Sequence, residues 1–281
     1  MFSRVFQGVV ALIATSALAN AQTQKQHLTA GYVQKLRDLS FDMGFMHEYP
    51  VAWTTSGTAV PILSKVKVVP NIPKVNGQLF MRDSLATPAW EVSYRMVLNQ
   101  SPQLQNLKIN EMVDLFATWF LLSEPHIRQG SIGNNMTFGF RETFNGVGVF
   151  VFKESQDVKL IAVENHGNEQ MTLAKLGKAF KKGTNGCLLD PDLLNKEFVL
   201  RLKMEQGMLT VSYGSKIRMA SHKPCIEDLY MPNLSNHGYI GLTSRNSDRY
   251  VKDLEVNMVR LNNLDQRFYT QFNELSQEDQ A

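Results

Sequence analysis

Several things are scarce in this sequence, and each scarcity removes a class of function. Charge of one sign is not in excess: 29 Lys and Arg face 26 Asp and Glu, for a net charge of +3. The basic residues are scattered rather than massed, so no nucleic-acid-binding face is expected. No segment approaches the roughly 20 apolar residues a membrane-spanning helix needs. The best apolar runs, Phe116 to Leu122 and Val147 to Phe152, are strand-sized. There are only two cysteines, Cys187 and Cys225, without the two-residue spacing of a zinc or redox site. The six histidines, at positions 27, 47, 126, 166, 222 and 237, never fall at metal-ligand spacing. A Gly-x-Ser-x-Gly nucleophile elbow is missing. So is the Glu-x-Asp-x-x-Glu run that would carry paired carboxylates across a glycosidic bond. Nothing in the chain supports catalysis.

What is present begins with a leader. Arg4, the apolar run Val9 to Ala14, and small residues at Ala19 and Ala21 follow the three-part pattern of a secretory signal peptide over residues 1–21. A chain in an oxidising lumen would use its two cysteines most simply as one disulfide, contributing about 4 kcal/mol by loop closure. Acceptor sequons at Asn99, Asn135 and Asn233 fit the same compartment, Asn99 least because Pro102 follows its Ser101. Asn135 and Asn233 are therefore the expected glycosylation sites.

Residues 22–40 form a polar lead-in. From Val51 onward short runs rich in β-branched and aromatic residues alternate with Gly, Pro and Asn: Trp90–Leu98, Leu115–Leu122, Gly146–Phe152, Lys159–Val163, Phe198–Met204, Met208–Tyr213, Tyr239–Thr243 and Leu254–Leu261. This spacing predicts an all-β sandwich or barrel. Phe198, Leu200, Leu202 and Met204 alternate with Val199, Arg201 and Lys203, then Glu205-Gln206-Gly207 leads into Leu209 and Val211. That is a hairpin with one buried face. Gly146 to Phe152 is apolar on both sides, as a strand covered on both faces would be. In the tail, Leu261, Leu264, Phe268, Phe272 and Leu275 recur at helical spacing. Residues 262–281 are read as an amphipathic helix, either starting an oligomeric stalk or folding back on the sandwich.

Taken together, several segments resemble the leguminous-type (L-type) lectin domain of mannose-lectin cargo receptors of the early secretory pathway. They are Trp53-Thr54, Gly57, Ala59-Val60-Pro61, Val66 to Pro70, Gly77, Trp90-Glu91-Val92, Tyr94-Arg95 and Asp114 to Phe120. Phe144-Asn145-Gly146-Val147-Gly148-Val149-Phe150 and Gly238-Tyr239-Ile240-Gly241-Leu242-Thr243 complete the series, in the family's order across residues 41–261. The resemblance implies a concanavalin-like jelly roll of two antiparallel sheets and a Cys187–Cys225 disulfide. It also implies carbohydrate binding by Asp114, Asn145 and Gln156, with high-mannose glycoprotein cargo as partner in the endoplasmic reticulum or Golgi.

Three departures bear on the site. The family's calcium ligands follow the Gly-Val-Gly strand, where this chain has Phe152 in the place of an aspartate and Gln156 in the place of an asparagine. Calcium takes six to eight oxygen ligands, so the cofactor expected here is none. Glu154 and Asp157 are the only substitutes nearby. The glycine-rich sugar loop is replaced by Ser244-Arg245-Asn246-Ser247, and the usual glycine neighbour of the aspartate by Leu115. The alternative to a lectin with a damaged site is a sugar-blind module of the same fold that binds a protein partner. Full members carry a stalk, a membrane helix and a sorting tail; this sequence stops at Ala281, which leaves a soluble branch and a longer protein both open.

Overall fold

The computed structural model describes residues 40–42, 52–62, 64–125, 136–183, 185–215, 222–231, 234 and 237–264. In chain order the first strands are β1 (Phe41–Asp42), β2 (Trp53–Gly57), β3 (Val60–Ile62), β4 (Lys65–Val69), β5 (Asn76–Met81), β6 (Leu85–Ala86) and β7 (Trp90–Gln100). A one-turn helix, α1 (Pro102–Gln105), precedes β8 (Met112–Leu121), β9 (Met136–Thr137), β10 (Phe140–Arg141), β11 (Asn145–Glu154) and β12 (Asp157–His166). Helix α2 (Leu173–Lys182) leads to β13 (Gly186–Leu189), β14 (Glu197–Glu205), β15 (Met208–Gly214), β16 (Lys223–Tyr230), β17 (His237–Arg245) and β18 (Lys252–Asn263).

These strands form two eight-stranded antiparallel sheets and a small ribbon. One sheet runs β16-β15-β14-β7-β18-β4-β3 with β1 added to β18. The other runs β13-β12-β11-β8-β17-β5-β2 with β6 added to β17. The fold is the expected all-β jelly-roll sandwich, and each segment read as a strand from its composition lies within one, except that Leu122 falls one residue past the end of β8.

The reasons are local. In the β14–β15 hairpin, Phe198, Leu200, Leu202 and Met204 are buried, and Gln206 (φ 53°) and Gly207 (φ 76°) form the two-residue turn. Positive φ at both central residues matches the twist of paired strands. Between the sheets, Trp90 stacks on Phe120 at 5.0 Å and Phe116 packs on Phe198 at 6.3 Å.

A second core lies on the other side of the β8 sheet. Ala117, Trp119, Leu121, Phe150, Phe152 and Ile161 are covered there by Phe138, Phe140 and Phe144 around the β9–β10 ribbon and by Leu176 of α2. Trp119 has Phe140 and Phe144 at 5.0 Å and Phe150 at 5.2 Å. This is why β11 is apolar on both faces. Gly139 (φ 79°) lets the ribbon close on β17: a Cβ there would stand 2.3 Å from the Ser244 carbonyl oxygen.

Cys187 and Cys225 form the disulfide. It joins β13, at the edge of one sheet, to β16, at the edge of the other. At the far end, β18 continues to Asn263, so Asn262 and Asn263 belong to the sandwich and not to the helical segment. Ser40 is also tied in, donating to the Leu261 carbonyl and accepting its N–H. The leader, and the amphipathic segment beyond Leu264, lie outside the described residues. No helix among the described residues is long and apolar enough to cross a membrane.

Candidate functional site

Near its start, β8 carries a bulge: Val151 of β11 pairs with Phe116 but Phe152 pairs with Asp114, which leaves Leu115 unmatched. An extra residue in one strand re-aims its neighbours. Asp114 is buried, 3% exposed. Its Oδ2 accepts the Phe138 N–H at 2.9 Å and lies 3.4 Å from Arg245 Nε. Arg245 Nη1 donates to the Met136 carbonyl at 2.5 Å. The guanidinium thus stands over the carboxylate.

Two more polar residues close the corner. Lys252, 1% exposed, donates from Nζ to the Asp114 carbonyl at 2.9 Å and to the Arg245 carbonyl. Burial pulls its ammonium down to about 8, against the opposing pull of Asp114, while Arg245 adds to the lowering. Asn246, also 1% exposed, uses Nδ2 toward the carbonyls of Pro70 (2.7 Å), Ile72 (3.0 Å) and Lys252 (2.8 Å), and its Oδ1 accepts the Lys252 N–H.

Outside this corner is a groove of about 610 Å³ lined by Lys74, Arg245, Asn246, Ser247, Asp248, Arg249 and Tyr250. Asp248 is largely exposed and lies 3.3 Å from Lys74. Arg249 sits 5.1 Å over the Tyr250 ring and donates to Glu111 Oε1 at 2.9 Å. The Tyr250 hydroxyl donates to Glu111 Oε2 at 2.5 Å and holds that carboxyl below the usual carboxylate range. Glu111 therefore fastens the loop before β8 to the loop before β18.

A profile of the legume-like lectin family matches residues 32–267. The chain belongs to the legume-like lectin family. That is a family of lectins, binding proteins rather than enzymes. Rat Protein ERGIC-53-like is 20% identical over 201 residues, 69% of this chain and 36% of that protein, so the chain spans about a third of that relative's length. The exoplasmic/lumenal domain of VIP36, in its Ca2+/Man-bound form, superposes with a TM-score of 0.66 at 18% identity, covering 82% of this chain and 91% of that one. The carbohydrate recognition domain of Emp47p gives 0.62 at 13% identity, covering 80% and 95%. The legume lectin-like domain from Entamoeba histolytica gives 0.58 at 16%, covering 81% and 97%. At these identities the likeness carries the fold alone.

Within this lectin frame the expected site residues do not all come together. Asp114 and Gln156 lie toward one end of the β8–β11–β12 array. Asn145 is at the other end, paired with His166. Seven residues separate it from Phe152, the partner of Asp114, which is roughly 23 Å of strand. Asn145 therefore cannot join Asp114 on one small ligand. The nearby Asn165-His166-Gly167 segment sits at that same far end. Asn135 and Asn233 lie outside the described residues.

The side chains at the end of β11 and in the turn after it are already committed to other partners. Phe152 is fully buried, edge-on to Phe180 at 6.2 Å. Lys153 turns inward, and its Nζ donates to the carbonyls of Leu104 (2.9 Å) and Gln105 (3.1 Å) at the end of α1. Burial lowers the affinity of that ammonium for its proton. Gln156 lies in the tight Ser155-Gln156 turn and donates to the Leu107 carbonyl at 3.4 Å. Glu154 is taken by Lys159 and Lys181. No cluster of three His, Cys, Asp or Glu side chains suited to a metal occurs among the described residues.

Arg245 was foreseeable only as part of a substituted loop, and Lys252 not at all. A lysine in Val251-Lys252-Asp253 reads as a surface charge, because lysine is rarely fully buried. The one available signal was Asn246 and Lys252 flanking a loop that had lost its glycines.

Proposed function

We propose that this chain is a lumenal lectin-fold recognition module, resembling endoplasmic reticulum and Golgi cargo receptors for high-mannose glycoproteins, that takes its ligand in the groove beside Asp114 without calcium. The Asp114 corner carries this reading. With the carboxylate under Arg245, the groups facing a ligand are those of the groove. They include an exposed carboxylate (Asp248), guanidinium and ammonium donors (Arg249, Lys74) and hydroxyls (Ser247, Tyr250). A carboxylate accepts two sugar hydroxyls, and a mixed set of donors and acceptors suits a polyhydroxylated ligand. VIP36 was solved with mannose and with Man3GlcNAc bound, each together with Ca2+. The disulfide and the leader-like residues 1–21 support the lumenal compartment. The misfit of Phe152, Lys153 and Gln156 to an ion supports independence from calcium.

A second reading, a sugar-blind module for a protein partner, is favoured by the near-complete burial of Asp114. A glycan array run in calcium and in chelator, with the wild type, Asp114→Asn and Asp248→Asn, separates the two. The first reading expects mannose-type glycans to bind in both conditions, weakened about tenfold or more by Asp248→Asn through the loss of charge-assisted hydrogen bonds. Asp114→Asn keeps an acceptor for the Phe138 N–H and leaves binding near wild type. Absence of any bound glycan hands the function to the protein-binding module, and binding in calcium alone defeats the calcium-free claim.

A further inference from the structure

Resting on the calcium-free reading, we propose that the Lys252 ammonium is a built-in cation that holds the Asp114 corner and the groove wall in shape, in the role a dissociable ion would otherwise fill. The ammonium gathers main-chain carbonyls from two strands, at Asp114 of β8 and Arg245 of β17. The main chain of Lys252 is gripped on both sides by the Asn246 side chain, which also reaches Pro70 and Ile72. Four segments of chain, at 70–72, 114, 245–246 and 252, thus converge on one cation and one amide.

Carbonyl oxygens from separate loops drawn to a central positive charge are how a hard metal ion organises a site. An ammonium with three N–H donors serves the same purpose with fewer contacts. It differs in one respect. A bound metal orders its loops by mass action and lets them go when the free ion is withdrawn, whereas a tethered ammonium has no such dependence. Arg245 and Asn246 are at once partners of this knot and walls of the groove, so the groove keeps its form at any free calcium concentration. The nearby Lys153 ammonium does a parallel task for the end of α1.

Hydrogen exchange followed by mass spectrometry on the full chain tests this. In the wild type, peptides covering 112–116, 136–140 and 244–252 should exchange equally in excess calcium and in chelator. In Lys252→Met the same peptides should exchange about tenfold or more faster, by local opening, while the β14–β15 hairpin stays at wild-type rates. Lys252→Gln, which keeps an amide donor but no charge, is the milder variant and should give a smaller loss in the same peptides. Calcium-dependent protection in the wild type defeats the calcium-free reading itself. Calcium-independent protection with wild-type rates in either variant overturns the role of Lys252 alone.

Discussion

Raising the pH should make the folded protein gain stability through Lys252, which is the reverse of what is expected when a favourable ion pair is titrated away. Burial brings this ammonium from its ordinary 10.5 down to about 8. Between those values the unfolded chain still holds the proton and the folded chain does not. Stability tied to this group therefore rises with pH across that window: the desolvation cost of the charge is relieved as the proton leaves, and the neutral amine keeps N–H donors for the Asp114 and Arg245 carbonyls that the ammonium gathers. One pKa unit corresponds to about 1.4 kcal/mol, so by pH 10 the gain is on the order of 2 kcal/mol relative to pH 7. Below about pH 7 the contribution is flat. Every other group titrates as well, so the measurement is a difference: urea unfolding of the wild type and of Lys252→Met from pH 7 to pH 10. The wild type should gain on the order of 2 kcal/mol on the variant over that range. A difference that stays constant, or one that moves the other way, would refute the placement of this ammonium in a desolvated pocket.

Asn246→Ala removes a side chain that serves three carbonyls and one N–H; two N–H donors cannot fully serve three acceptors, and a loss of about 3 kcal/mol in urea unfolding is expected. Gly139→Ala forces a Cβ against the Ser244 carbonyl oxygen at a positive φ, and it should lower stability by about 2 kcal/mol or more, read as a drop in melting temperature. Replacing both Cys187 and Cys225 by Ala, so that no lone thiol remains, should cost about 4 kcal/mol at the chemical-denaturation midpoint.

How much of this could be read from residues alone divides along physical lines. Strand grammar repeats over many positions, so the sheets, the β14–β15 hairpin and the doubly buried Gly146 to Phe152 run were legible from alternation and turn residues. The disulfide followed from having only two cysteines in an oxidising compartment and from the resemblance. Helix α2 was overlooked because its stripe is short, with Leu176 and Gly177 its buried residues amid lysines. The site was harder, since its geometry comes from a bulge at Leu115 and from which end of a long strand each residue occupies. Asn145 adjoins the most distinctive motif in the sequence and still lies a strand length from Asp114. Arg245 and Lys252 read as solvated charges; only the convergence of β8, β17 and β18 brings them together, burying Lys252 and leaving Arg245 partly exposed.

If fixed side-chain cations organise this corner of the lectin fold in the place of calcium, as proposed, then calorimetric titration of calcium into chelator-treated protein should show no saturable heat and no change in melting temperature. Stoichiometric binding accompanied by a rise in melting temperature would overturn the calcium-free corner.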